Sequence, residues 1–267
     1  MDSSSAFTPS VLQRWRRREN LLPGLTLIAL AAAGWAYVAY QAASMGSMRS
    51  AMGSMAMGGV EGIAVFLPAW AGMMVAMMVP ATLPLILLYR TIARIRLSPA
   101  RARIGTAILL VGYVVVWATV GLPVYAYNSF SSAAGSLAAV LPAVLLIVGG
   151  AYQFTPLKRM CHARCSSPLF FLMRNWHPGA TGGALRLGVL HGVDCLGCCA
   201  GLMVGLVGLG MMNLAWMLTA ALIIFAEKTI PGSHRIARPL GILMVAGGVA
   251  LLVTALLDGM APEMESM

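Results

Sequence analysis

The sequence predicts an all-α, polytopic integral membrane protein, folded as a bundle of about seven transmembrane helices. Hydrophobic residues make up 60% of the 267-residue chain and charged residues only 10%, and the mean hydropathy is +0.84. Soluble domains average about 45–50% apolar and about 25% charged residues. The apolar residues also fall in long runs, and the basic residues lie between alternate runs, which is typical of multi-pass membrane proteins.

Each apolar run reaches the roughly 20 residues that a transmembrane helix needs. The first run is too long for a signal peptide, and no A-x-A-like cleavage site follows it directly. Only the three residues 208–210 separate the fifth run from the sixth. The predicted spans are 22–43, 62–89, 104–127, 135–155, 186–207, 211–230 and 239–258.

The basic residues predict the orientation of the chain. They precede the first span and lie between spans two and three, four and five, and six and seven, so seven spans put them on one side. Of the 18 Lys and Arg residues, only Arg49 lies opposite. Short loops rich in Lys and Arg stay cytoplasmic, which predicts a cytoplasmic N-terminus and an outer C-terminus. The net charge of +10 is thus a topology signal with some attraction to anionic lipid, and no nucleic-acid partner is expected.

The predicted organisation is a single transmembrane domain, 22–258, between a basic cytoplasmic segment, 1–21, and an acidic outer tail, 259–267. Within the domain we expect a Met-rich outer loop at 44–59 and a cytoplasmic Cys/His loop at 156–185. None of the five cysteines falls on the outer, oxidising side. A framework of structural disulfides is therefore not expected.

The Met-rich outer loop is the first candidate metal-binding segment. Thioether sulfur is a soft ligand that suits Cu(I), and spacings of two to four residues would let a flexible loop surround one ion. A linker that is Met-rich without binding metal, or that contacts lipid at the interface, is the alternative. The candidate ligands are Met45, Met48, Met52 and Met55.

The second span carries another methionine cluster. Met73 and Met77 are four residues apart, as are Met74 and Met78, so the pairs lie on neighbouring parts of one helix face. Pro80 removes a backbone donor just below and can loosen the helix. The alternative is packing, because methionine readily fills irregular space. The candidate ligands here are Met73, Met77 and Met78.

The stretch "HGVDCLGCC" in the fifth span combines five polar or thiol groups. His191, Asp194, Cys195 and Cys198 share one helix face, and Cys199 lies one step round it. Small residues also serve close helix packing, which is the alternative reading. A carboxylate at bilayer depth costs about 2.5–3.5 kcal/mol on insertion scales, so Asp194 needs a partner or an ion. The stretch predicts a metal or proton site, with His191 as the candidate partner of Asp194.

The segment "QFTPLKRMCHARC" adds Cys161 and Cys165, four residues apart, as candidate ligands at the cytoplasmic end. Counting residues from the span ends puts the methionines of the second span and the thiols of the fifth near the same depth. If those two helices are neighbours, an ion could lie between them.

Three stretches, "WAGMMVAMMVPA", "YQFTPLKRMCHARC" and "CLGCCAGLM", with the later "GMMNLAWM" and "EK", resemble a family of predicted metal-binding integral membrane proteins of bacteria with unassigned function. The resemblance extends over roughly residues 65–230. It implies a polytopic fold, a metal site and a location in the bacterial inner membrane. Ala200 stands where family members often carry an aromatic residue. The family motifs fall on Met73, Met77, Met78, Cys161, Cys165, Cys195, Cys198, Cys199, Glu227 and Lys228.

Copper handling is the function that the soft ligands favour: Cu(I) bound for uptake, storage or delivery to a membrane metalloenzyme. Zinc and haem are alternatives, but only His191 of the four histidines lies in a span, so bis-His haem ligation lacks a partner. No P-loop or phosphorylation motif supplies energy, and enzymatic activity is not expected.

A second hypothesis is an accessory structural subunit of a larger complex, such as a copper-dependent monooxygenase or oxidase. A third is a thiol oxidoreductase using Cys195 and Cys198.

Overall fold

The computed structural model is mostly helical over the residues that it describes, which are 25, 28–29, 32–36, 40, 60–135, 137–176, 182–210, 213–229 and 234–265. Within these segments there is no strand. The helices with defined ends are α1 (Val60–Arg96), α2 (Pro99–Ala133), α3 (Leu137–Tyr152), α4 (Pro156–Cys165), α5 (Pro168–Asn175), α6 (Gly182–Leu209), α7 (Leu214–Thr229) and α8 (His234–Glu265).

Four helical segments are long and apolar enough to cross a membrane: Glu61–Arg96, Pro99–Ala133, Gly182–Leu209 and Ile236–Asp258. Helices α3 and α4 would form a fifth span if counted together, although they meet at 68°. The predicted all-α class with membrane-length helices is confirmed, and four helices, or five if the bent pair counts as one, are long and apolar enough to span a membrane in the described part of the chain.

Two of the seven predicted spans do not correspond to a membrane-length helix among the described residues. The run predicted at 211–230 forms α7, which has 16 residues and is shorter than the roughly 20 residues of a full span. The run predicted at 22–43 lies mostly outside the described residues. The total of seven therefore stays a prediction.

The segment predicted as a cytoplasmic loop, 156–185, contains α4, α5 and the first turn of α6. Both short helices begin at a proline, the residue favoured at the first helical position because it needs no backbone donor there. Thr155 caps α4 by accepting a hydrogen bond from the backbone N–H of Lys158 at 3.3 Å. The break between α3 and α4 thus has a local cause, since Pro156 ends one helix and starts the next.

Helix α6 lies at the centre of the bundle and packs against α2, α3, α4 and α7. Glycines allow two of these contacts to be close. A Cβ atom on Gly188 would lie 2.1 Å from the carbonyl oxygen of Leu109 in α2, and one on Gly201 would lie 2.5 Å from that of Gly149 in α3. Small residues are the usual means by which membrane helices approach each other.

Helices α3 and α7 have 16 residues each, and both end beside the middle of α6. At the end of α3, the hydroxyl of Tyr152 donates a hydrogen bond to the carbonyl oxygen of Gly197 at 2.6 Å. Near the end of α7, the ammonium group of Lys228 donates to the sulfur of Cys195. Two helix ends and one unbroken helix therefore meet at the level of the cysteines of α6.

Candidate metal centre

Three cysteine side chains from two helices form the candidate metal centre. Cys195 and Cys198 lie one turn apart on α6, and Cys165 is the last residue of α4. Their Sγ atoms lie within 4.8 Å of one another, and all three residues are buried. The spacing on α6 places two thiols on one face, and the break before α4 brings the third against it. The chemistry of this donor set, three soft sulfur atoms, fits a soft metal ion such as Cu(I).

Cys195 is the most enclosed member of the three, with no exposed surface. Its sulfur accepts a hydrogen bond from the ammonium group of Lys228 at 2.8 Å. The hydroxyl of Tyr113, on α2, is hydrogen-bonded to the same sulfur at 3.2 Å. The thiol of Cys198 donates to the backbone carbonyl of Cys195 at 3.0 Å. A positive charge and a hydroxyl group thus lie where they would offset the negative charge of a thiolate.

Two further thiols border this centre but lie outside the group of three. Cys199 donates to the carbonyl oxygen of Cys195 at 3.0 Å. Cys161 packs against α6 at Gly197, where a Cβ atom would lie 2.5 Å from its sulfur. The five cysteines belong to one buried cluster. The sequence predicted a transmembrane group of three cysteines and a separate cytoplasmic pair, and the structure joins them because α4 folds back against α6.

His191 and Asp194, predicted as metal ligands and as partners of each other, have different surroundings. Asp194 pairs with Arg164 of α4, with 3.6 Å between the charged atoms. His191 is buried between the rings of Tyr113 and Phe171, at centroid distances of 5.9 and 5.2 Å. The partner of Asp194 is therefore Arg164. Neither His191 nor Asp194 belongs to the group of three sulfurs, and their role as ligands stays a prediction.

The methionines of the second predicted span share the core of the cysteines. Met74, Met77 and Met78 are buried in the same cluster as the five thiols, and Met73 is partly buried against it. Helices α2 and α7 each pack against both α1 and α6, so they connect the two clusters. Whether these thioethers bind metal stays a prediction. The other predicted methionine ligands, Met45, Met48, Met52 and Met55, lie outside the described residues.

Buried charges beside the thiols were only partly anticipated from the sequence. Lys158 of α4 donates to both carboxylate oxygens of Glu227 at 2.9 and 3.1 Å and also to the side-chain oxygen of Gln153. Lys158 and Glu227 are each 4% exposed. Glu227 and Lys228 are neighbours in the sequence, but they bind different partners, Lys158 and Cys195, which no spacing along the chain could reveal.

A comparison with known families gives one match. The chain matches the family model PpoB2, described as a copper chaperone, over residues 67–251. That range includes all five cysteines and the buried ion pair. No curated protein and no solved structure matches the chain.

Proposed function

We propose a copper-carrying function from one premise: the chain belongs to the PpoB2 copper chaperone family. In this proposal the protein binds Cu(I) through the sulfur atoms of Cys165, Cys195 and Cys198 and passes the ion to a copper-dependent enzyme. The observation that carries the proposal is the convergence of the three buried Sγ atoms within 4.8 Å of one another. Copper is the cargo of this site, held between loading and delivery.

The donor set supports Cu(I) over zinc. Thiolates are soft ligands that suit Cu(I), whereas structural zinc sites almost always take four protein ligands. Among the described residues, the group that could hold one ion contains three ligands, all of them cysteines. The ammonium group of Lys228, 2.8 Å from the sulfur of Cys195, would reduce the net negative charge of a copper–thiolate centre in this apolar core.

Membrane placement is the second part of the proposal. Four helices long and apolar enough to span a bilayer support it. Cys195 lies 13 residues after Gly182, which corresponds to about 20 Å along α6. An ion bound there would lie inside the hydrocarbon region and away from water. The ends of α3 and α7 at this level fit the way in which broken helices line ion sites in membrane proteins.

Delivery accounts for the site better than pumping. The cluster is closed around its sulfur atoms, and the sequence offers no nucleotide-binding motif that could drive transport. A partner that accepts Cu(I), such as a membrane metalloenzyme, is therefore part of the proposal. The bacterial inner membrane is the proposed location because the resemblance is to bacterial proteins.

The test is elemental analysis of the full-length protein, purified in detergent, loaded with Cu(I) under reducing conditions and freed of excess ion. We expect an equimolar amount of copper in the parent and a loss of most of it in Cys165→Ser, Cys195→Ser and Cys198→Ser. Met160→Leu, which removes an exposed thioether on the outer face of α4, is the matched control and should retain copper. Retention of parental copper by all three serine variants would defeat the proposal.

A further inference from the structure

Helix α4 covers the three-thiol centre with a narrow buried face. Its buried residues are Lys158, Cys161 and Cys165, spaced three and four positions apart as on one side of a helix. Other residues of the helix are open to the surroundings, since Leu157 and Met160 are 49% and 47% exposed. One helix therefore separates the buried sulfurs of α6 from the surroundings on this side.

We propose that Cys161 is the thiol through which copper enters and leaves the three-thiol centre, a role that rests on the proposed function. Cys161 lies one turn before Cys165 on α4, and residues so spaced have Cβ atoms about 5–6 Å apart. Its sulfur lies outside the group of three but against α6 at Gly197, the residue next to Cys198. A Cu(I) ion can therefore pass between Cys165 and Cys161 by exchange of a single ligand.

The exposed fractions of the cysteines indicate the path that the ion would take. Cys195 and Cys198 are 0% and 2% exposed, whereas Cys161 and Cys165 are each 7% exposed. The charged side chains of Asp194 and Arg164 lie close enough to Cys161 to interact electrostatically with its thiol. Arg164 is 45% exposed, so the charged pair reaches the surface. The path from the sealed sulfurs of α6 to the surface thus runs along the buried face of α4.

The exchange step balances without a redox change. The bond between Cu(I) and the sulfur of Cys161 forms as the bond to the sulfur of Cys165 breaks. The proton of the Cys161 thiol moves to the displaced sulfur of Cys165, and copper remains Cu(I). Soft ligands of the acceptor then replace the sulfurs of Cys195, Cys198 and Cys161 one at a time. Each bond from Cu(I) to an acceptor ligand forms as one bond to a cysteine breaks, and the displaced thiolate takes a proton from the incoming thiol or from water. Loading follows the same steps in reverse.

The test measures the rate of copper release from the loaded, detergent-purified full-length protein to bathocuproine disulfonate, a water-soluble Cu(I) chelator followed by its absorbance. Cys161→Ser keeps nearly the same shape at the contact with Gly197 and replaces a soft ligand by a hard one. We expect this variant to hold as much copper as the parent and to release it about tenfold more slowly, a factor that about 1.4 kcal/mol of barrier produces. Met160→Leu should release copper at the parental rate.

The outcomes separate this inference from the proposed function. Full copper content with a parental release rate in Cys161→Ser would overturn the role of Cys161 and leave the three-thiol centre intact. Loss of copper from Cys161→Ser, with native elution and circular dichroism, would make Cys161 a ligand of the centre and would also overturn it. Copper retained by the serine variants of Cys165, Cys195 and Cys198 would instead defeat the proposed function.

Discussion

At the scale of single residues, Lys228 contributes the charge nearest to the candidate centre. Its ammonium group lies 2.8 Å from the sulfur of Cys195, and hydrogen bonds to charged groups contribute about 1.5–3 kcal/mol. We expect Lys228→Met to weaken Cu(I) binding about ten- to a hundredfold, as read from competition with a chelator of known affinity. Lys228→Arg keeps the charge and should bind within a few-fold of the parent. Parental affinity in Lys228→Met would show that the charge does not support the centre.

Asp194 shows what the sequence can and cannot reveal about a single residue. The cost of a carboxylate at bilayer depth correctly indicates that Asp194 needs a partner. The motif offers His191 one turn away, but the partner is Arg164, which lies on another helix. The type and spacing of the cysteines of α6 are visible along the chain, and in the structure these residues share one buried cluster. Their grouping with Cys165 depends on the way in which α4 folds back against α6. No local sequence pattern predicts that arrangement.

At the scale of helices, the ion pair of Lys158 and Glu227 joins α4, which carries Cys165, to α7, which carries Lys228. Removing one partner of a buried pair leaves an uncompensated charge and costs about 3–5 kcal/mol. We therefore expect Glu227→Ala to lower the thermal unfolding midpoint strongly in detergent. The double variant Lys158→Met with Glu227→Leu should recover most of that loss, because apolar residues often replace a buried pair without destabilisation.

The double variant also distinguishes stability from copper binding. Recovery of the unfolding midpoint together with parental copper content would assign the pair to the positioning of α4 against α7. An unfolding midpoint in Glu227→Ala equal to that of the parent would contradict the buried ion pair itself.

The contact between α2 and α6 gives a second prediction for the helices. A Cβ atom on Gly188 would lie 2.1 Å from the carbonyl oxygen of Leu109, and a backbone atom cannot rotate away. Overpacking of this kind typically costs about 1–3 kcal/mol, so Gly188→Ala should lower the unfolding midpoint. Gly72→Ala is the matched control, since nothing lies within 4 Å of its added Cβ. An equal effect of both substitutions would show that α2 and α6 do not approach so closely.

Helix breaks explain where the predicted spans and the structure differ. Long apolar runs predicted the helices α1, α2, α6 and α8, because the 20-residue requirement depends only on composition. The fourth predicted span ends at 155, next to the break between α3 and α4 that "TP" at 155–156 marks, but the helix α4 and its 68° bend were not predicted. Helix α7 is described to Thr229, and Pro231 and Gly232 follow two and three residues later, so the sequence also marks this end.

At the scale of the whole molecule, the distribution of basic residues predicts an orientation that reporter fusions can test. The basic segments share one side under the predicted topology, which sets the N-terminus in the cytoplasm and the acidic tail outside. We expect alkaline phosphatase fused after Asp258 to be active in a bacterial host, and a fluorescent protein fused at the same site to be dark. The same reporters placed before the first predicted span should give the reverse pattern.

The two fusions together test the number of membrane crossings, because termini on opposite sides require an odd number. Helices α1, α2, α6 and α8 and the bent pair α3–α4 make five candidate spans in the described part of the chain. The remaining crossings must come from 22–43 and from the segment around α7, whose 16 residues reach about 24 Å. A fluorescent fusion after Asp258 would mean an even number of crossings. In that case α7 would return to the side from which it started and α8 would cross in the opposite direction, while the helices up to α6 would keep their orientation.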